Sequence, residues 1–254
     1  MPKALAERVA LVTGGARRVG RAVAIELARA GMHVAITCNR SRAEADEVLG
    51  AIERVGRQAI AIAVDMTESN AAATIHAAVT SRFGRLDVLV NNASTFASTP
   101  FGTVSADDYD RYQAINARTP LMLIQHFAPM LGAHYDPGDP SSPGRIVNFI
   151  DIHVLGEPLK HYIAYNCSKA ALMEITSTCA VELAPRVTVN AIAPGVVAWA
   201  EFYTEEMQRE YMTRVPLERP GTPEDAAAAV LYLVRDAAYC TGQVIRLDGG
   251  RSLT

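Results

Sequence analysis

The stretch Val9-Ala10-Leu11-Val12-Thr13-Gly14-Gly15-Ala16-Arg17-Arg18-Val19-Gly20 decides the fold. A short apolar run reads as a strand, passes through a Gly-rich turn, and enters an apolar-periodic segment over residues 19–30 that reads as a helix. Glycines let the backbone approach a pyrophosphate closely. The helix N-terminus adds free N–H groups and the positive end of its dipole. Gly14, Arg17, Arg18, Val19 and Gly20 are therefore the expected phosphate cradle. Such a turn can also be a mere tight connection, but its place directly after the first strand of an alternating pattern favours the cradle.

The alternation runs the length of the chain. Strands are expected at 9–13, 33–37, 59–64, 88–91, 145–150, 187–192 and 244–247. Helices are expected at 19–30, 42–55, 68–82, 105–130, 164–184, 205–214 and 223–234. Strands alternating with helices imply an α/β fold, a parallel sheet with right-handed crossovers and helices on both faces. No linker or composition shift divides residues 1–254, so one domain is expected, with residues 132–144 as a Pro-containing surface excursion.

Composition narrows the function. Of 254 residues half are hydrophobic and 20% charged, and the net charge of −3 makes no case for nucleic acid or an anionic membrane. Cys38, Cys167, Cys179 and Cys240 show no metal-ligand spacing, which points to reduced thiols and no metal site. The first eight residues carry no apolar signal-peptide core, and no run reaches membrane-spanning length. A soluble, cytoplasmic protein is expected.

The end of the second strand discriminates between cofactors. An NAD site places a carboxylate there to accept from the ribose hydroxyls. This chain has Cys38-Asn39-Arg40-Ser41, where Arg40 and Ser41, with Arg17 from the first turn, suit a 2′-phosphate; NADPH is the expected cofactor. Asp65 and Met66 follow the third strand, where the carboxylate suits the adenine amino group. Asn92, Ala93 and Ser94 follow the fourth as small groups beside the cofactor. Asn116 is a polar residue inside an otherwise patterned helix, either a functional amide or a satisfied core one.

The proton chemistry centres on Tyr165-Asn166-Cys167-Ser168-Lys169 and on Asp151. Positions i and i+4 share a helix face, and a nearby ammonium is expected to pull the phenol pKa toward neutrality. Asp151 ends an apolar run, at the sheet edge where open α/β proteins bind ligands. Alone, Tyr-x-x-x-Lys can equally be a surface pair.

Together the Gly-rich turn, Asn91-Asn92-Ala93, Asn116, Tyr165-x-x-x-Lys169 and Pro194-Gly195 resemble the short-chain dehydrogenase/reductase family over essentially the whole chain. The resemblance implies a Rossmann-type domain with a seven-stranded parallel sheet, assembled as a homotetramer. It also implies Tyr165 as proton donor, Lys169 holding the nicotinamide ribose, and Asn116 supporting a relay water. Pro194 and Gly195 would close the cofactor site.

Two departures are similar to the pteridine reductase and dihydromonapterin reductase branch: Arg18 where the family turn has its middle glycine, and Asp151 at the catalytic serine position. Asn92-Ala93-Ser94-Thr95-Phe96, Asp151-Ile152-His153 and the ending Asp248-Gly249-Gly250-Arg251-Ser252-Leu253-Thr254 agree with that branch. It implies a small-molecule pterin substrate, with Phe96 stacking on its ring and Arg18 on its oxygen or a ring nitrogen. Ser94 would bridge substrate and pyrophosphate, and Asp151 would bind the amino-pyrimidine edge beside Tyr165. One extra residue, within Val154-Leu155-Gly156-Glu157, separates Asp151 from Tyr165 relative to that branch, and is expected to reshape the substrate edge.

The expected reaction is NADPH-dependent reduction of a pterin C=N bond, with the proton from Tyr165, Asp151 or both. A carbonyl reductase or alcohol dehydrogenase of the same family is the alternative, and a non-catalytic NADPH-binding sensor is the alternative from another class.

Overall fold

The structure, a computed structural model, describes residues 5–200 and 203–254, so the opening of the N-terminal segment lies outside the described residues. Seven strands form one sheet: β1 (Val9–Val12), β2 (His33–Cys38), β3 (Ala59–Ala63), β4 (Val88–Asn91), β5 (Gly144–Phe149), β6 (Val187–Pro194) and β7 (Val244–Leu247). Their order is β3-β2-β1-β4-β5-β6-β7 with every pairing parallel. Among the described residues eight α-helices accompany it: α1 (Arg18–Arg29), α2 (Arg42–Arg54), α3 (Ala71–Phe83), α4 (Ala106–Gln113), α5 (Thr119–Leu131), α6 (Ile163–Glu182), α7 (Glu205–Met212) and α8 (Pro223–Arg235).

Strand alternation sends successive side chains to opposite faces. Ala10 and Val12 join Val34 and Ile36 in one core beneath Val23, Leu27, Val48 and Val230 of α1, α2 and α8. Val9 and Leu11 join Leu89 and Ile146 in the other, against Ile75, Leu123 and Phe127 of α3 and α5. Both faces of the sheet are thus buried, which is why its strands read as nearly unbroken apolar runs. None of the helices among the described residues is long and apolar enough to cross a membrane.

The single helix expected over 105–130 is broken by one wider, π-type turn, Ala114–Arg118, between α4 and α5. Its buried Asn116 bonds sideways to a neighbouring segment, and such insertions often mark functional positions. The excursion before β5 is tied down by the buried Arg145, whose guanidinium donates to the carbonyl of Pro143 at 2.7 Å.

The strand order reverses between β1 and β4. Open parallel sheets bind ligands at that point, beyond the carboxyl ends of the strands.

Candidate active site

A cleft of about 670 Å³ opens at this switch point. Its floor is the Gly-rich turn, held by the end of β4. The Thr13 hydroxyl accepts from the backbone N–H groups of Asn92 (2.9 Å) and Ala93 (3.0 Å). The Asn92 amide donates to the Thr13 carbonyl at 2.8 Å, and the Thr37 hydroxyl accepts from the Gly14 N–H at 3.0 Å.

The turn's glycines are required by space. A Cβ on Gly15 would lie 2.5 Å from Ile36 Cγ2, and one on Gly20 would lie 2.2 Å from the Gly14 carbonyl oxygen. Arg17 begins α1 without a side-chain cap, and there is no acidic residue in the first turn. Gly14, Arg17, Arg18, Val19 and Gly20 all line the cleft. Uncapped N–H groups at a helix start, beside Gly15 and Gly20 positions with no room for a Cβ, fit a dinucleotide pyrophosphate.

Arg18 occupies the left-handed region at φ 52°, where the family carries glycine. A conformation that costs a non-glycine residue about 1 kcal/mol is retained while its guanidinium reaches the segment after β6. There it donates to the carbonyls of Ala198 (2.7 Å) and Trp199 (3.0 Å).

Of the remaining cofactor residues, Asn39, Asp65, Met66, Ala93 and Ser94 line the cleft, as do Asn92, Pro194 and Gly195. Asp65 accepts from Thr67 N–H at 2.8 Å and Thr67 hydroxyl at 2.8 Å, and from Asn39 at 3.1 Å, which holds its carboxyl below the usual range. Arg40 and Ser41, expected at a 2′-phosphate, stand just beyond the cleft-lining residues Cys38 and Asn39 at the end of β2. Arg40 is exposed on the turn into α2, and Ser41 stands at that helix's start. Arg17 is the cationic member of this trio that reaches the wall, 3.8 Å from Glu44.

Asp151, Tyr165, Lys169 and Phe96 meet at the other end of the cleft. The Tyr165 hydroxyl donates to Asp151 Oδ2 at 2.7 Å, and the His153 backbone N–H donates to Asp151 Oδ1 at 2.9 Å. Both carboxylate oxygens are held, so the group has a fixed direction. Phe96 stacks on Tyr162 at 4.7 Å and meets the Tyr165 ring edge-on at 4.8 Å, so one face of Phe96 is already covered.

The expected acidification of Tyr165 by Lys169 is not what the structure shows. Burial, and then the neighbouring Asp151 charge, push the phenol well above its ordinary 10. The Lys169 ammonium donates to the Phe149 carbonyl at 2.7 Å and stands 5.9 Å from the Tyr165 ring centroid. Spacing on the helix was right, but burial and the carboxylate outweigh the cation.

Lys169 is itself brought down from 10.5 to about 8, chiefly by burial. The unfolded chain therefore holds more protons than the native one between those values, and stability rises with pH there. The expected gain is about 3 kcal/mol from the shift alone. Above pH 10 the raised Tyr165 acts in the opposite sense, since only the unfolded chain then ionises its phenol. Urea midpoints from pH 7 to 10 should rise for the wild type and flatten for Lys169→Met; parallel curves would refute the assignment.

Asn116 sits inside the π-type turn, off the cleft wall. Its fully buried amide donates to the Ser168 hydroxyl (2.9 Å) and the Thr95 carbonyl (3.3 Å), and accepts from the Thr95 N–H (3.0 Å). These bonds tie the loop after β4 to the catalytic helix.

Sequence reading missed Tyr203 and Tyr211, which form the far wall. They pack against Trp199 at 5.2 and 5.5 Å, and the Tyr211 hydroxyl accepts from the Val196 N–H at 3.1 Å. They lie in or near a polar helix with nothing in its pattern to mark them. Among the described residues no cluster of His, Cys, Asp or Glu could hold a metal.

A family model described as enoyl-(acyl carrier protein) reductase matches residues 14–252. The chain belongs to the short-chain dehydrogenase/reductase family. As such it is an oxidoreductase that binds a nicotinamide cofactor and acts on a small molecule. This short-chain dehydrogenase/reductase is 33% identical to the hydroxynaphthalene reductase-like protein Arp2 of Metarhizium majus, over 98% of this chain and 96% of that protein. It is 33% identical to FolM alternative dihydrofolate reductase 1 from Brucella canis, solved as a complex with NADP, with a TM-score of 0.89. That match covers 99% of this chain and 96% of the other. Acetoin dehydrogenase from Enterobacter cloacae is similar too, at 31% identity and a TM-score of 0.85 over 97% of this chain and 96% of that one.

Proposed function

We propose that the protein is an NADPH-dependent reductase of pterin C=N bonds, taking a dihydropterin or dihydrofolate-type substrate to its tetrahydro form. The observation that carries this reading is the paired Asp151 and Tyr165, 2.7 Å apart, in place of a serine and tyrosine. A carboxylate suits an amino-pyrimidine edge rich in N–H donors. It is ill suited to the developing alkoxide of a ketone, which it would repel. Similarity to a FolM protein supports the same substrate class.

When bound, NADPH supplies the hydride to a ring carbon. The chain supplies position and the proton. Lys169, held on the Phe149 carbonyl, would bind the nicotinamide ribose, and Tyr165, alone or together with Asp151, would deliver the proton to the adjacent ring nitrogen. Arg18 and Ser94 stand where substrate and pyrophosphate would meet, and Phe96 forms part of the aromatic wall. The absence of a carboxylate among the cleft residues ending β2, Thr37, Cys38 and Asn39, supports NADPH over NADH, with Arg17 and the exposed Arg40 able to swing to a 2′-phosphate. The same reading carries a homotetramer acting in the cytoplasm.

A second reading, a carbonyl or alcohol dehydrogenase, is favoured by similarity to an acetoin dehydrogenase. Following NADPH oxidation with dihydrobiopterin, dihydrofolate and a ketone panel separates the two. Turnover of the pterins is expected, with Asp151→Ser lowering it by about 10²-fold. Turnover of ketones alone, unimpaired in Asp151→Ser, would favour the second.

A further inference from the structure

Three segments that carry or back the wall of the cleft meet at one carboxylate outside it. Glu157 closes the stretch Val154-Leu155-Gly156-Glu157 that carries the extra residue, after the chain turns through Gly156 at φ 127°. Its Oε2 accepts from Arg251 and from Arg214, each at 3.2 Å. Its backbone carbonyl lies 2.8 Å from His153 Nδ1, and the His153 backbone N–H donates to Asp151. Arg214 stands two residues past α7 and also donates to the Thr254 carbonyl, while the Thr254 hydroxyl donates to the Arg214 carbonyl at 2.8 Å. Arg251 is buried in the C-terminal turn, its guanidinium carbon 5.4 Å from the centroid of the Tyr211 ring. Tyr211 lines the cleft, and Trp199 packs on it edge-on. Its phenol is raised chiefly by burial, with the Asp151 charge adding, which sets it at the Asp151 end.

We propose that Glu157 is a positioning residue for substrate: its carboxylate sets the aromatic wall by fastening the Asp151 loop to Arg251 behind Tyr211 and to Arg214 beyond α7. Glu157 is not among the residues lining the cleft, so it acts through those that do. An exposed ion pair alone contributes little, because water screens it and two long side chains give up freedom. Glu157 differs in the partner it serves. The Arg251 side chain is only 10% exposed, and its Nε is buried without a hydrogen-bond partner. Without the carboxylate this cation would stay buried with its charge uncompensated, a state it escapes by moving toward water. That movement takes it off the Tyr211 ring and loosens the packing of Trp199. The cofactor cradle lies outside this frame, held by Thr13, Thr37 and Asn92. Losing Glu157 should therefore cost substrate affinity and spare NADPH. The inference draws on the pterin reading only for the substrate of one assay.

The chain's one tryptophan, Trp199, reports on this wall directly. Acrylamide quenching of its fluorescence would be measured in Glu157→Gln, Glu157→Asp and Arg251→Met. Glu157→Gln keeps the backbone carbonyl near His153 and removes only the charge. Glu7→Gln is the control: Glu7 likewise holds two partners, Arg57 at 3.0 Å and His33 at 3.1 Å, but at the start of β2, the opposite end of the sheet. The quenching constant should rise about twofold in Glu157→Gln and Arg251→Met, move less in Glu157→Asp, and stay at the wild-type value in Glu7→Gln. With NADPH and 7,8-dihydrobiopterin, Glu157→Gln should raise KM by about 3- to 10-fold, with kcat and the NADPH dissociation constant within about twofold. A KM or a quenching constant at the wild-type value in Glu157→Gln overturns the assignment and leaves the pterin reading standing. An equal rise in quenching in Glu7→Gln overturns it too, since the effect would then be general loosening. If the wild type turns over no dihydropterin, the pterin reading fails, and the quenching constants alone decide the assignment of Glu157.

Discussion

Tyr165→Phe is expected to slow NADPH-dependent turnover of a dihydropterin by about 10²- to 10⁴-fold, the range for losing a positioned proton donor. NADPH affinity should stay within about threefold, because no bond from the phenol to the cofactor's binding elements is lost. The ring itself remains packed among Tyr112, Ala164 and Phe96, so the fold should tolerate the change. What disappears is the hydroxyl 2.7 Å from Asp151 Oδ2, and with it the polar partner of a carboxylate at the cleft wall. Because burial and Asp151 keep the phenol well above its ordinary 10, it is protonated throughout the working range. Single-turnover absorbance at 340 nm, compared with an equilibrium NADPH titration, separates the proton step from binding. A loss of less than about threefold would assign proton delivery to Asp151, and Asp151→Asn should then carry the full effect.

The chemistry follows from how the sheet brings distant residues together. Thr13, Asn92 and Thr37 come from three strands and lock one turn, so the cradle is rigid before any ligand arrives. Asn116 and Ser168 couple the loop after β4 to the catalytic helix, so Phe96 and Tyr165 share one frame. On the open side Arg18 reaches the carbonyls at 198 and 199. Those two bonds tie the first turn to the segment after β6.

Much of this was legible in the chain because it is local. Alternating apolar runs and periodic helices fixed the seven-stranded α/β architecture, with element ends off by one to three residues where capping and ladder pairing decide the limits. Tyr165 and Lys169 were placed on one face by helical spacing alone. The misses are all non-local. That Asn116 spends its amide on Thr95 and Ser168, 21 and 52 positions away, leaves no trace in periodicity. The phenol's acidity is not legible in the sequence, where the cation four residues on is visible but the burial that dominates inside the wall is not. Tyr203 and Tyr211 follow from where the chain folds back after β6, which no pattern within α7 announces.

Gly20→Ala is expected to weaken NADPH binding by about 100-fold or more and to lower stability by roughly 1–3 kcal/mol. The added Cβ would stand 2.2 Å from the Gly14 carbonyl oxygen, 2.6 Å from Asn92 Nδ2 and 2.9 Å from the Gly14 carbonyl carbon. Two of those atoms are backbone, and the third belongs to the amide that holds the turn through the Thr13 and Gly14 carbonyls. Relief by a side-chain rotation is therefore closed, and the turn itself has to move. Any movement there redirects the N–H groups at the start of α1 on which a pyrophosphate would sit. Gly56→Ala is the matched control: at φ 77° with nothing within 4 Å of its would-be Cβ, it meets backbone strain but no neighbour. It should lower stability by about 1 kcal/mol and leave the NADPH dissociation constant unchanged. Titrating NADPH fluorescence against both variants, with urea unfolding alongside, separates damage to the cradle from general loss of stability. Unchanged NADPH affinity in a folded Gly20→Ala would mean that the first turn is a tight connection and nothing more, and that the dinucleotide is held elsewhere along the cleft.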